Sequence, residues 1–156
     1  MAATQVPLGI VLNVPPTVVP GQPMTVTLNG SGTFTGLVLM AENQGQRVGS
    51  FSVGPVYHSI ACSGSAGGTI THSSAAAKAL PASFTWTAPA NATGVTFRGV
   101  VLRSSPQLQF QMLTPVTATA PAVPSTFAPL TVVLLLALGV AGVASAWGTN
   151  KAARRA

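Results

Sequence analysis

Of the side chains that most often carry out chemistry, this chain holds one carboxylate, two imidazoles and one thiol: Glu42, His58, His72 and Cys62. Catalysis by paired carboxylates, a Ser-His-Asp relay, and coordination of magnesium or calcium all need acids that a chain with a single carboxylate does not supply. His58, Cys62 and His72 lie close enough in sequence to suggest copper or zinc, yet a fourth ligand is not evident. The sequence therefore assigns no catalytic residue, no metal and no cofactor, and the chain reads as a non-enzyme. His72, within Thr71-His72-Ser73, is expected to hydrogen-bond the backbone instead.

The basic residues point to a membrane rather than to nucleic acid. The formal charge is +6 and the pI near 11.5, but Lys151, Arg154 and Arg155 all follow an uncharged run from Phe127 to Trp147. The other four, Arg47, Lys78, Arg98 and Arg103, are scattered, whereas phosphate binding wants them clustered on one face among aromatics. No nucleic-acid partner is expected. Charged residues make up only 5% of the chain, against about 25% in an ordinary soluble protein. So neutral a surface suits a domain covered by glycans, lipid headgroups or other subunits better than a freely diffusing monomer.

The run from Phe127 to Trp147 is about 21 residues, and as a helix it measures roughly 31 Å, the thickness of a bilayer's hydrocarbon core. It predicts one C-terminal transmembrane helix over 127–148 and a basic tail over 149–156. The positive-inside bias puts that tail on the cytosolic or stromal side and the rest of the chain in the lumen or outside. Met1 to Val14 has no basic n-region and Pro7 interrupts its apolar stretch, yet this topology takes the domain across a membrane, so the expectation is that a cleaved presequence is missing from this numbering or that Met1 is an assigned start. Within the helix, Ala137, Ala141 and Ser145 fall at i, i+4 and i+8, with Gly142 and Ala146 beside them; such a small-residue stripe lets a second helix pack closely. The helix has no His to ligate chlorophyll or haem.

Ahead of the anchor, short alternating runs separated by Gly, Pro and Asn predict an all-β fold, a sandwich over 1–113. Strands are expected at Leu8 to Val14, Met24 to Asn29, Gly36 to Ala41, Val48 to Val53, Thr69 to Thr71, Ser83 to Thr87, Val95 to Leu102 and Leu108 to Leu113. Period-two patterning turns Met24, Val26, Leu28, Phe84, Trp86, Val95, Phe97 and Val101 toward the core. Residues 114–126, rich in Pro, Ala and Thr, read as an extended linker.

The ordered pieces Pro20-Gly21-Gln22-Pro23, Phe34-Thr35-Gly36-Leu37-Val38-Leu39-Met40-Ala41, Val48-Gly49-Ser50-Phe51, Cys62, Thr71-His72-Ser73, Lys78, Phe84-Thr85-Trp86-Thr87-Ala88-Pro89 and Gly94-Val95-Thr96-Phe97-Arg98 resemble the reeler (reelin N-terminal) domain family. The resemblance implies an immunoglobulin-like antiparallel β-sandwich of the kind found in matrix proteins, secreted defence proteins and the outer part of some ferric-reductase-like membrane proteins. It implies a recognition or packing unit without enzymatic activity. The family's usual disulfide partner for Cys62 is absent, and so are the haem modules that accompany reeler domains in reductase-like proteins.

Two sequons, Asn29-Gly30-Ser31 and Asn91-Ala92-Thr93, acquire meaning only if the domain enters the secretory pathway. Two functions follow. One is a structural accessory subunit of a large membrane complex, such as a photosystem in the thylakoid membrane, whose partners are other membrane subunits and the bilayer. The alternative is a cell-surface recognition or adhesion protein of the plasma membrane that displays a reeler domain.

Overall fold

The computed structural model describes residues 4–61, 66–103 and 109–122. Met1–Pro121 is one compact unit of the chain and Ala122–Ala156 is the other. The predicted transmembrane helix, its stripe of Ala137, Ala141, Gly142, Ser145 and Ala146, the basic tail and Cys62 all lie outside the described residues. Among the described residues there is no helix long and apolar enough to cross a membrane.

The described residues are all β. In chain order the strands are β1 (Thr4–Gln5), β2 (Val11–Asn13), β3 (Pro23–Asn29), β4 (Thr33–Phe34), β5 (Gly36–Asn43), β6 (Gln46–Arg47), β7 (Ser50–Phe51), β8 (Tyr57–Ser59), β9 (Thr69–His72), β10 (Lys78–Ala79), β11 (Ala82–Thr87), β12 (Gly94–Arg103), β13 (Gln109–Met112) and β14 (Val116–Thr119). The larger sheet runs β1-β13-β12-β5-β9-β8, with β14 also on β12 and β6 on β5; the smaller runs β2-β3-β11-β7. A two-stranded ribbon of β4 and β10 completes the set.

The alternation seen in sequence is what sorts the two faces. Along β3, Val26 and Leu28 are buried and Met24 is half-buried, while Thr25 is exposed; along β11, Phe84 and Trp86 are buried while Ser83 and Thr85 are exposed. Val95, Phe97 and Val101 turn inward from β12 in the opposing sheet. Trp86 ties the layers together. Its indole meets Phe97 edge to face, with centroids 5.2 Å apart, and its Nε1 donates to the Val48 carbonyl at 3.1 Å. Such a ring pair adds about 0.5–1.5 kcal/mol beyond area burial.

Three differences from the sequence reading have causes in the tertiary structure. The strand expected over Val48 to Val53 shrinks to β7, because Gly49 takes φ +65° and a side chain there would collide with Trp86 and the Thr87 carbonyl. The strand expected over Leu8 to Val14 shrinks to β2 because Gln111 substitutes for a ladder. Its Oε1 accepts from Leu8 N and Ile10 N, at 2.9 and 3.1 Å, and its Nε2 donates to Ile10 O at 2.7 Å. This arrangement lays β1 parallel to β13, the one parallel strand pair in an otherwise antiparallel ladder set among the described residues. Finally, residues 116–119 of the predicted linker form β14, which pairs with β12 from Gly94 to Phe97 and buries Ala118 completely. Pro, Ala and Thr are compatible with an extended chain of either kind, and the unfilled half of β12 decides in favour of a strand.

Asn43 pairs with Gln46 across a two-residue turn in which Gln44 has φ +49° and Gly45 has φ +78°. Two positive φ values match the right-handed twist of a tight hairpin, but a glutamine at the first position is strained.

Two mutations test this account. Trp86→Ala lowers unfolding free energy by about 3–5 kcal/mol in urea titrations, since it opens a cavity between the sheets. Gln44→Asn raises it by about 0.5–1 kcal/mol, because Asn tolerates the left-handed region better.

Candidate functional site

Glu42, the only carboxylate side chain in the sequence, sits near the end of β5 on the outward face of the larger sheet. Arg47 of β6 lies directly opposite it and pairs with its Oε1, and Arg98 of β12 reaches its Oε2 at 3.2 Å. Two guanidiniums thus share one carboxylate that is 16% exposed, a charge-assisted arrangement that leaves Glu42 committed as an acceptor. Lys78 is likewise committed. It is buried, and its Nζ donates to the carbonyls of Thr35, Ser74 and Ala76 at 3.0, 2.7 and 2.7 Å, which uses all three ammonium protons. Desolvation holds its pKa below the ordinary 10.5.

Strand register separates the two histidines. Tyr57 faces His72 and His58 faces Thr71 across β8 and β9, so the two imidazoles are not cross-strand neighbours. His72 Nδ1 accepts from Leu37 N at 3.1 Å, beside a 2.8 Å bond from Thr71 Oγ1 to Leu37 O. Its ring extends the β5–β9 ladder where backbone pairing stops, which is the backbone bond expected of it, made from a strand end rather than a turn. His58 Nδ1 lies 3.3 Å from Ser73 Oγ. Among the described residues no three potential metal ligands converge.

Two surfaces among the described residues bear on recognition. On the outward face of the larger sheet, Val38 faces Val100, which faces Met112, while Leu102 faces Phe110. Met112 is 59% exposed, and a groove of about 240 Å³ runs over Val38, Val100, Leu102 and Phe110 with the His72 ring on its rim. The second surface is polar. The β5–β6 hairpin and the loop from Pro89 to Gly94 enclose a cleft of about 290 Å³ lined by Asn43, Gln44, Gln46, Asn91 and Thr93 over Val48, Pro89 and Ala92. A neighbouring cleft of about 380 Å³ shares Val48, Pro89 and Asn91 and adds Arg47 and Ser50.

Of the residues singled out in sequence, Asn91 lies on this polar cleft and is exposed, whereas Asn29 is half-buried at the end of β3, opposite Val11 of β2. Asn43, Gln44 and Gln46 escaped the sequence reading. Their only signal is Asn-Gln-Gly-Gln as a turn, and nothing local tells that the turn faces Asn91, some 45 residues on.

A family model described as Reeler domain matches residues 3–114. The chain belongs to the Reeler domain family. The crystal structure of the human F-spondin reeler domain (fragment 1) superposes with a TM-score of 0.58 at 17% identity, over 77% of this chain and 94% of that one. The Reelin-N domain of F-spondin gives 0.56 at 18% identity, over 77% and 91%. At such identities the likeness establishes a shared fold. No curated protein sequence matches the chain. The expected membership and the all-β reeler sandwich are therefore found, and nothing in the comparisons supports a photosystem subunit.

The Lys78 geometry predicts a pH signature. Between the depressed folded value and 10.5 the unfolded chain binds the proton more tightly, so the stability contributed by this residue rises with pH across that window. Lys78→Met, which strands three carbonyls, is less stable at pH 7 by about 1–3 kcal/mol. In chemical denaturation the wild-type advantage over Lys78→Met widens as pH is raised toward 10.5.

Proposed function

We propose that this reeler domain is a non-catalytic recognition module displayed outside the cell and held at the surface by the apolar run at 127–147. The observation that carries the reading is the match of residues 3–114 to a family whose solved relatives include the reeler domain of F-spondin. The arrangement of charge supports the non-catalytic part. Glu42 and Lys78, which would serve as acid, base or nucleophile, are fully engaged in holding the fold. The outward row of Val38, Val100, Leu102, Phe110 and Met112 is the surface this reading gives to a protein partner.

That same row favours a second reading, an accessory subunit of a larger membrane complex that covers it. The two separate in one experiment on intact cells carrying the full chain with an epitope within the domain. Added protease is expected to remove the epitope, and after gentle detergent extraction the protein is expected to migrate in blue-native gels as a small species. Protection from protease sinks the surface reading; co-migration with a large assembly transfers support to the accessory subunit.

A further inference from the structure

We propose that Asn91 carries an N-linked glycan whose first sugars lie in the polar cleft beside it; the inference rests on the extracellular reading above. The sequon Asn91-Ala92-Thr93 occupies the connection from β11 to β12. Ala92 N donates to Pro89 O at 3.1 Å and Ala92 is 7% exposed, so the turn is pinned from beneath by Ala92. Asn91, at the turn's third position, is thereby held outward in solvent, with Thr93 exposed two residues on. Asn29 differs on each count: it belongs to a strand ladder, is half-buried, and lies on neither polar cleft.

The cleft next to Asn91 has the chemistry of a sugar's resting place. Asn43, Gln44 and Gln46 each present an amide that donates and accepts, as ring hydroxyls and an acetamido group require. Asn43 Nδ2 already lies 3.4 Å from Thr93 Oγ1, which brings the hairpin against the sequon. Val48, Pro89 and Ala92 supply an apolar floor for the sugar's C–H face, and no ionisable side chain lines the cleft of about 290 Å³. The strained φ of +49° at Gln44 fits this picture, since strain of that kind gathers where a side chain is presented to a ligand.

The covalent step is a transfer from a lipid-linked oligosaccharide pyrophosphate. The Asn91 amide nitrogen forms a bond to the anomeric carbon and gives up a proton. The carbon–oxygen bond to the pyrophosphate breaks, and the lipid pyrophosphate departs with the bonding pair. No oxidation is involved. The attached glycan would cover the neutral pole formed by the 43–46 hairpin and the 89–94 loop, where the sequence offers no charge to keep copies apart.

The test uses the full chain directed into microsomes by an added leader, which separates acceptor geometry from natural location; protease treatment of intact cells reports the location independently. The imported chain is expected to gain a glycosidase-sensitive mass shift. Asn91→Gln and Thr93→Ala each remove one glycan's worth of it, while Thr93→Ser and Asn29→Gln leave that increment in place. An imported chain without a shift, or a shift indifferent to Asn91→Gln, overturns the site. Docking in the cleft is read from kinetics: an amide-cleaving glycosidase should release the glycan severalfold more slowly from native than from heat-denatured protein, and Gln46→Ala should narrow the gap. Equal rates overturn the docking. If the site is occupied in microsomes but the domain is shielded on cells, the extracellular reading fails and the acceptor assignment stands.

Discussion

The burial of Trp86 between the two sheets is the contact on which the remaining geometry hangs. Its ring is fully enclosed and set edge-on to Phe97, so β11 of one layer is keyed to β12 of the other. Its indole N–H is spent on the Val48 carbonyl, which fixes the chain just ahead of Gly49. A glycine must follow, because the backbone turns under the indole at a positive φ with no room for a β-carbon. That turn aims β7 along the smaller sheet and the β5–β6 hairpin back across the end of the sandwich. The polar cleft is a consequence: one wall is the hairpin, the other is the loop that follows the end of β11 at Thr87.

Charge in this domain is spent inward. Glu42 holds two arginines on the sheet surface, and Lys78 gathers three carbonyls around the β4–β10 ribbon, where it also stands 6.0 Å from the centre of the Phe34 ring. Desolvating an ammonium is costly unless each proton finds an acceptor, and here each does. Beyond the exposed Arg98 and His58, the exterior is mostly hydroxyl, amide and aliphatic. An exterior of that type recognises by shape and neutral hydrogen bonds, and it benefits from a covering, whether a partner on the apolar row or carbohydrate on the polar pole.

Legibility in the sequence followed the range of each interaction. Val26, Leu28, Phe84, Trp86, Phe97 and Val101 were readable as core because alternation is a property of neighbouring residues. The shortening of the strand after Val48 was not, because the conformation of Gly49 is set by Trp86, nearly 40 positions later. Residues 116–119 offered extended-chain composition without a partner; only the open half of β12 made them a strand. His58 and His72 looked close by number, yet a one-residue offset between β8 and β9 pairs His58 with Thr71 and His72 with Tyr57 instead of with each other.

By itself the sequence determined composition-level facts: a chain with one carboxylate, an all-β pattern, a reeler-like order of motifs, a long uncharged run near its end and two sequons. These depend on residue type and local period alone. The tertiary structure decided which arginines share Glu42, where Lys78 finds its three acceptors, and that Asn91 rather than Asn29 stands beside an amide-lined cleft. Each of those is a meeting of residues far apart in the chain, and such meetings are set by sheet register and interlayer packing, which no local stretch of sequence encodes.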